Sequence, residues 1–330
     1  MGKKKKTLVI SEETVKEIIT VKEAIREVEK GFKYFGSGRV EMPPKIYLYL
    51  SKYNGDFRAM PAYVAGMESC GIKWVNVHPG NIKKGLPAVM AMIILNDPAD
   101  GYPLCVMNGT YITALRTGAS GAIAAKYLAR KDSENLAFIG CGTQAKAQFS
   151  AIKEVFRIKG VKLWDKRARA AAEFGKFIRR SGNFSVTIAD TAASACADCD
   201  IIVTTTPSRS PLVKPEWLKK GVHINAVGAD ARGKQELSPE ILKKARIVVD
   251  SWEQASHSGE INVPLRKKQL FRKNIYADIG EIVTGGKTGR KNNDEVTVFD
   301  STGLAVQDMA IAYFIYKKAK KLNKGRYVEL

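Results

Sequence analysis

Apolar residues recur at helical spacing early in the chain and then give way to shorter, strand-like runs. Ser11 precedes Glu12 and Glu13 and predicts the cap of a short helix. Thr20-Val21-Lys22-Glu23 is a capping box that opens a second one. Ile25, Val28, Phe32 and Phe35 give that helix an apolar face, and Gly36 ends it, so the first stretch reads as helices. From Lys45 to about Met107 the period shortens. Ile46 to Leu50, Ile72 to Val77 and Ala88 to Leu95 predict strands, punctuated by Asn54-Gly55, Pro79-Gly80 and Ala99-Asp100-Gly101. Thr110 to Arg130 is rich in Ala and predicts a long helix leaving this first domain.

From Asn135 onward strands and helices alternate. Apolar runs at Leu136 to Ile139, Val161 to Trp164, Ile201 to Thr204, Val222 to Val227 and Ile247 to Val249 are mostly separated by helical patterns, notably Gln144 to Phe156 and Arg167 to Arg179. Such alternation predicts an α/β fold with a doubly wound parallel sheet. A last run, Val296 to Phe299, leads through Asp300-Ser301-Thr302-Gly303 into a terminal helix with Val306, Met309, Ala310 and Tyr313 on one face.

Composition narrows the class. At 330 residues, 45% hydrophobic and 26% charged, the chain can build more than one core and is not disordered. It has no apolar stretch of membrane length and no signal-peptide pattern, and five cysteines make no disulfide framework. The expectation is a soluble cytoplasmic protein. The net charge of +21 is spread over Lys3 to Lys6, Lys83-Lys84, Lys243-Lys244, Lys267-Lys268 and Lys317-Lys318 without interleaved aromatics. This reads as a solvated surface rather than a specific nucleic-acid site.

The clearest chemistry lies at Leu136 to Ala145: a strand, then G-x-G-x-x-A over Gly140, Gly142 and Ala145, then a helix. Gly140 permits the tight turn, Gly142 lets backbone approach a pyrophosphate, and Ala145 allows close packing. Asp165 ends the next strand, where it suits the ribose hydroxyls of NAD and repels a 2′-phosphate. Lys166 and Arg167 beside it soften that preference. Thr204 to Ser208 and Ala226-Val227-Gly228-Ala229-Asp230 also follow strands, where they can line the nicotinamide half of the cofactor. In the first domain, Lys73 stands inside Gly71-Ile72-Lys73-Trp74-Val75-Asn76-Val77. A lysine there is either exposed or buried with a partner or an altered proton affinity, and the strand pattern leaves both open.

Lys73, taken with Met42-Pro43-Pro44-Lys45, Arg58-Ala59-Met60-Pro61, Ala114-Leu115-Arg116-Thr117-Gly118 and the segments above, resembles the ornithine cyclodeaminase/mu-crystallin family over nearly the whole chain. Gly259-Glu260-Ile261-Asn262 and Phe299 to Gly303 belong to the same pattern, and the archaeal-type alanine dehydrogenase branch matches best. The resemblance implies a homodimer. It also implies a Rossmann NAD-binding domain (126–303) and an α+β substrate and dimerisation domain built from both chain ends (1–125 with 304–330), the active site lying in the cleft. It places a catalytic lysine on Lys73 and an active-site aspartate on Asp230. Carboxylate-binding cations fall on Lys45 and Arg116, and cofactor contacts on Arg116, Thr117, Thr143, Gln144, Asp165, Arg167, Ser208, Val227 and Ser301.

One departure separates the branches. Cyclodeaminases carry an acidic residue just before the Met-Pro turn, and here that position is Arg58. A guanidinium is no base at neutral pH, but it suits a small substrate's carboxylate and leaves a second ammonium without a partner. The expected reaction is reversible oxidative deamination of L-alanine to pyruvate and ammonia. Alternatives on the same fold are a cyclodeaminase, a ketimine or pyrroline-2-carboxylate reductase, and a crystallin-like binding protein. Cys196-Ala197-Asp198-Cys199 has no second pair or nearby His, and the scattered His78, His223 and His257 read as structural, so no metal is expected. Cys141 sits where a helix N-terminus could lower its pKa, although a structural thiol is the expected reading.

Overall fold

The structure is a computed structural model describing residues 5–329, so Lys3 and Lys4 of the basic run lie outside the described residues. The chain divides into two compact units. One takes the chain up to Arg116 and again from Leu304; the other is Thr117–Gly303.

In the first unit, strands β1 (Thr7–Ile10), β2 (Val40–Glu41), β3 (Ile46–Leu50), β4 (Gly55–Val64), β5 (Ser69–Val77), β6 (Val89–Asn96) and β7 (Pro103–Asn108) join β16 (Arg326–Val328) in one sheet. Its order is β16-β1-β7-β6-β5-β4-β2, with β3 also paired to β4. Two expectations need correction. The first element among the described residues is a strand rather than a helix: Leu8 and Ile10 are buried while Val9 is exposed, an alternation too short to read beside the lysine run. Arg58 to Pro61 is no turn but the middle of β4, where Pro61 faces Ile72 of β5. Helices α1 (Glu12–Ile18) and α2 (Val21–Gly36) start at Ser11 and Thr20 as the caps require. The terminal helix α11 (Ala305–Lys321) packs on α2, where a Cβ on Gly31 would lie 3.2 Å from that of Ala310. It also covers β4 and β5.

Helix α3 (Thr110–Leu128) contains the division between the units. The resemblance put the boundary at residue 125, whereas the second unit already starts at Thr117. The reason is close packing on α4 (Thr143–Ile152): a Cβ on Gly118 would sit 2.3 Å from the Ala147 carbonyl oxygen, and Gln148 Nε2 donates to the Thr117 carbonyl at 2.8 Å.

The second unit is the doubly wound sheet. Strands β8 (Asn135–Ile139), β9 (Gly160–Trp164), β10 (Ser185–Ile188), β11 (Ile201–Thr204), β12 (His223–Ala226), β13 (Arg246–Val249), β14 (Ile275–Asp278) and β15 (Thr297–Asp300) are all parallel, in the order β10-β9-β8-β11-β12-β15-β13-β14. The order reverses direction at β8, which sets the topological switch point at the C-terminal end of that strand. Helix α5 (Ala168–Arg180) follows β9, and its Phe174 meets Phe138 of β8 and Phe149 of α4 edge to face. Shorter helices α6 (Ala192–Cys196), α7 (Pro239–Lys244), α8 (Trp252–Ser258), α9 (Asn262–Arg266) and α10 (Ile279–Val283) complete the connections.

Candidate functional site

In the second unit, β8 is followed by Gly140, whose φ of +97° is open to glycine at little cost. A Cβ there would press within 2.8 Å of the Thr206 methyl. Gly142 caps α4 without a side-chain hydrogen bond, so amides of the first turn are left for an anion. A Cβ on Gly142 would meet nothing within 4 Å, and a hollow of about 370 Å³ opens here, lined by Gly142, Thr143, Lys146, Arg167 and Arg169 among others. Asp165 Oδ2 accepts from Cys141 N and Oδ1 from Arg167 N, both at 2.8 Å. Each oxygen keeps a second lone pair for a ribose hydroxyl. Lys166 is exposed. Among the described residues, Gln144 Oε1 and Ser301 Oγ are buried with no hydrogen-bond partner. Bare helix amides, an open glycine and two orphaned polar atoms fit a dinucleotide.

The loops after β11 and β12 are tied together by Glu236, which accepts from Thr204 Oγ1 at 2.7 Å, Thr206 N at 2.6 Å and Gly228 N at 2.9 Å. Glu260 in turn accepts from Glu236 N and Leu237 N, and Asp300 from Glu260 N. Burial raises the pKa of Glu236, and burial followed by the Glu236 charge holds that of Glu260 well above the carboxylate range. Val227 is buried and donates its N–H to the Thr204 carbonyl at 3.0 Å. Asp230 is half-buried and pairs with Lys234 at 2.5 Å. Ser208 Oγ donates to the Ser210 carbonyl at 2.6 Å.

In the first unit, Lys73 is buried, against the exposed alternative. Its strand neighbours in register, Met60 and Ile93, are buried and apolar, so the charge needs a partner. Asp308, in the first turn of α11, supplies it with Oδ2 2.7 Å from Lys73 Nζ; its Oδ1 lies 3.3 Å from Arg116 Nε. Arg116 also donates from its terminal amino group to Gln307 Oε1 at 2.9 Å. These ion pairs are short but poorly directed. Among the described residues, Lys73 Nζ, Arg116 Nε and both Asp308 oxygens therefore make no hydrogen bond, and bonding capacity is left over in a buried place. Burial first, then the Arg116 charge, pushes the Lys73 pKa down to about 7, Asp308 opposing and Lys45 adding to the fall. Arg58 lies on the same sheet face, buried, its Nε 2.7 Å from Asp56 Oδ1 and its guanidinium 5.2 Å from the Tyr47 ring centre.

The structure thus brings Lys73 and Arg116 together around a carboxylate, and the Gly140 loop together with Asp165 and Arg167. Asp308, Asp56, Glu236 and Lys234 escaped the sequence reading. An aspartate in a helix's first turn reads as favourable to the helix dipole, and only its apolar neighbours Val306 and Met309 hint at burial. Burial pushes the Cys141 thiol up to about 12, with Asp165 adding to it, in keeping with the structural thiol expected. His257 lies inside α8.

The model of the ornithine cyclodeaminase/mu-crystallin family matches residues 5–323. The chain belongs to that family. It is 51% identical to an alanine dehydrogenase of Archaeoglobus fulgidus over 98% of both chains. Two solved structures of the family superpose at a TM-score of 0.95: an archaeal alanine dehydrogenase dimer with bound NAD (51% identity, 99% of this chain and 100% of the other) and the Thermococcus litoralis Δ1-pyrroline-2-carboxylate reductase with NADH and L-proline (38% identity, 98% and 100%). Among the described residues, no helix is long and apolar enough to cross a membrane.

Proposed function

We propose that this family member is an NAD-dependent alanine dehydrogenase, interconverting L-alanine with pyruvate and ammonia. NAD, when bound, supplies the two-electron acceptor for the hydrogen on Cα. The carrying observation is Lys73: a buried amine with a pKa near 7 can take a proton from the substrate ammonium and, once protonated, polarise the carbonyl of pyruvate. Asp230, with Lys234 beside it, holds the water that adds to the substrate imine and takes up its proton. Arg58, Lys45 and Arg116 receive the carboxylate. Thr143 and Gln144 at the start of α4, with Gly140, Gly142 and Asp165, hold the pyrophosphate and adenosine ribose. Thr117, Ser208, Val227, Gly228 and Ser301 serve the rest of the cofactor.

Substrate recognition and dimerisation belong to the unit formed from both chain ends, and cofactor binding to the other. Ile46, Leu48, Trp74 and Met92 leave an exposed apolar face on the sheet of the first unit, which supports a homodimer. Sedimentation of the wild type and Trp74→Glu tests this; a wild-type monomer overturns it.

Similarity to the Thermococcus litoralis enzyme supports a second reading, reduction of a cyclic imino acid by the same residues. Absorbance at the NADH band decides. L-Alanine with NAD should form NADH far faster than L-proline or L-ornithine does, and pyruvate with ammonia should consume it. Consumption only with Δ1-pyrroline-2-carboxylate would transfer the assignment to the reductase.

A further inference from the structure

Lys73 reaches its partner across a large stretch of sequence, and the partner is shared. Asp308 has no exposed surface, and Ser69 Oγ, on the same strand as Lys73, donates to the Met309 carbonyl at 3.0 Å, pinning the start of α11 to β5. The carboxylate then touches two cations, Lys73 through Oδ2 and Arg116 through Oδ1. With Lys73 protonated the trio carries one net positive charge. With Lys73 neutral, Arg116 and Asp308 cancel. A carboxylate already matched by a guanidinium is therefore arranged to hold the lysine in place without locking its proton on.

We infer that Asp308 is the residue that positions Lys73 for chemistry, fixing Nζ by direct contact and supplying the counter-charge that Lys73 and Arg116 share. The inference rests on Lys73 being the proton carrier. The charged groups acting on Lys73 are Asp308 from α11, Arg116 from α3 and Lys45 just before β3. Of these only Asp308 favours the ammonium form, which fixes the direction of the test.

Asp308→Asn removes the anion and leaves the cations. The acidic limb of kcat/KM against pH for alanine oxidation should move down by about one pH unit or more. kcat should fall about tenfold or more through loss of positioning, while NADH binding by fluorescence stays within about twofold. The ¹³Cε resonance of Lys73 in labelled apo-protein, assigned by its loss in Lys73→Ala, should titrate correspondingly lower, a reading independent of turnover. An unmoved limb and an unmoved resonance overturn the inference. If Asp308→Asn does not fold, Asp308→Glu decides: it keeps the charge, so the limb stays near its wild-type position, but the displaced carboxylate should still lower kcat about tenfold. Wild-type kcat there overturns the inference. Near-normal turnover in Lys73→Ala is a separate failure, that of the reading of Lys73 itself.

Discussion

Glu236 Oε2 accepts from the backbone N–H of Gly228 at 2.9 Å, while Oε1 of the same carboxylate accepts from Thr206 N at 2.6 Å. One buried side chain thus sets the gap between the loops that follow β11 and β12. A Cβ on Gly228 would fall 2.2 Å from the Thr206 carbonyl oxygen, so this gap admits only glycine. Gly228→Ala must spread the loops and should weaken NADH binding about tenfold, read by fluorescence titration. Glu236→Gln offers one acceptor where three donors converge, a loss of ~1–3 kcal/mol in stability. Urea denaturation checks it, and an unchanged midpoint would contradict the clamp.

Asp165 is bonded to the backbone of Cys141 and Arg167, which line a hollow together with Lys146 and Arg169. Replacing it with serine removes the charge that repels a 2′-phosphate and leaves those cations behind. Asp165→Ser should shift the NAD/NADP ratio of kcat/KM toward NADP by about tenfold or more. The loss of its bond from Cys141 N should also weaken NAD itself. A wild type that already prefers NADP strongly would remove Asp165 from the ribose.

Arg58 is braced by Asp56 and Tyr47, so its fork is held in one orientation. On the proposed function, Arg58→Ala should lose a charge-assisted contact to the substrate carboxylate, ~1.5–3 kcal/mol or about one to two decades in kcat/KM for pyruvate. Arg58→Lys should recover only part of it, since an ammonium lacks the planar fork. Unchanged pyruvate kinetics in both variants would exclude Arg58 from the site.

His223 is fully buried at the start of β12, between Thr297 Oγ1 and Asn225 Oδ1, each at 2.9 Å. Burial lowers its pKa from 6.5 to about 3. Below pH 6.5 the unfolded chain binds the proton first, so stability falls as pH drops toward 3. The slope from this one residue is ~1.4 kcal/mol per pH unit. Urea melts at pH 7, 6, 5 and 4 should show a shallower pH dependence in His223→Gln than in wild type. Parallel curves would mean that His223 is charged in the folded state.

How much of this was legible depends on how local the physics is. The Rossmann half declares itself in sequence because each part, from the strand before Gly140 to Asp165 after the next strand, is fixed by backbone geometry within a few dozen residues. The caps at Ser11 and Thr20 are readable for the same reason. Burial of Lys73 is not, because its justification stands on the far end of the chain. Strand β1 was hidden by brevity, and Glu236 looked like one more acid before a helix. The Lys73 assignment came from resemblance; Asp308 came only from folding the two ends together.

The unit that holds Lys73 is closed by its last elements: β16 pairs with β1, Thr7 facing Val328, while Lys324 bonds Glu17 and Lys318 bonds Glu23. A ribosome therefore delivers the whole of Thr117–Gly303 before it delivers the helix that neutralises Lys73. The nucleotide half can assemble while the chain is still being made. The unit built from both chain ends must wait with a lysine in its sheet that lacks its Asp308 partner, and a chain released early would carry the doubly wound sheet beside a sheet unable to close. Order of synthesis thus makes the Lys73–Asp308 pair one of the last contacts this protein acquires.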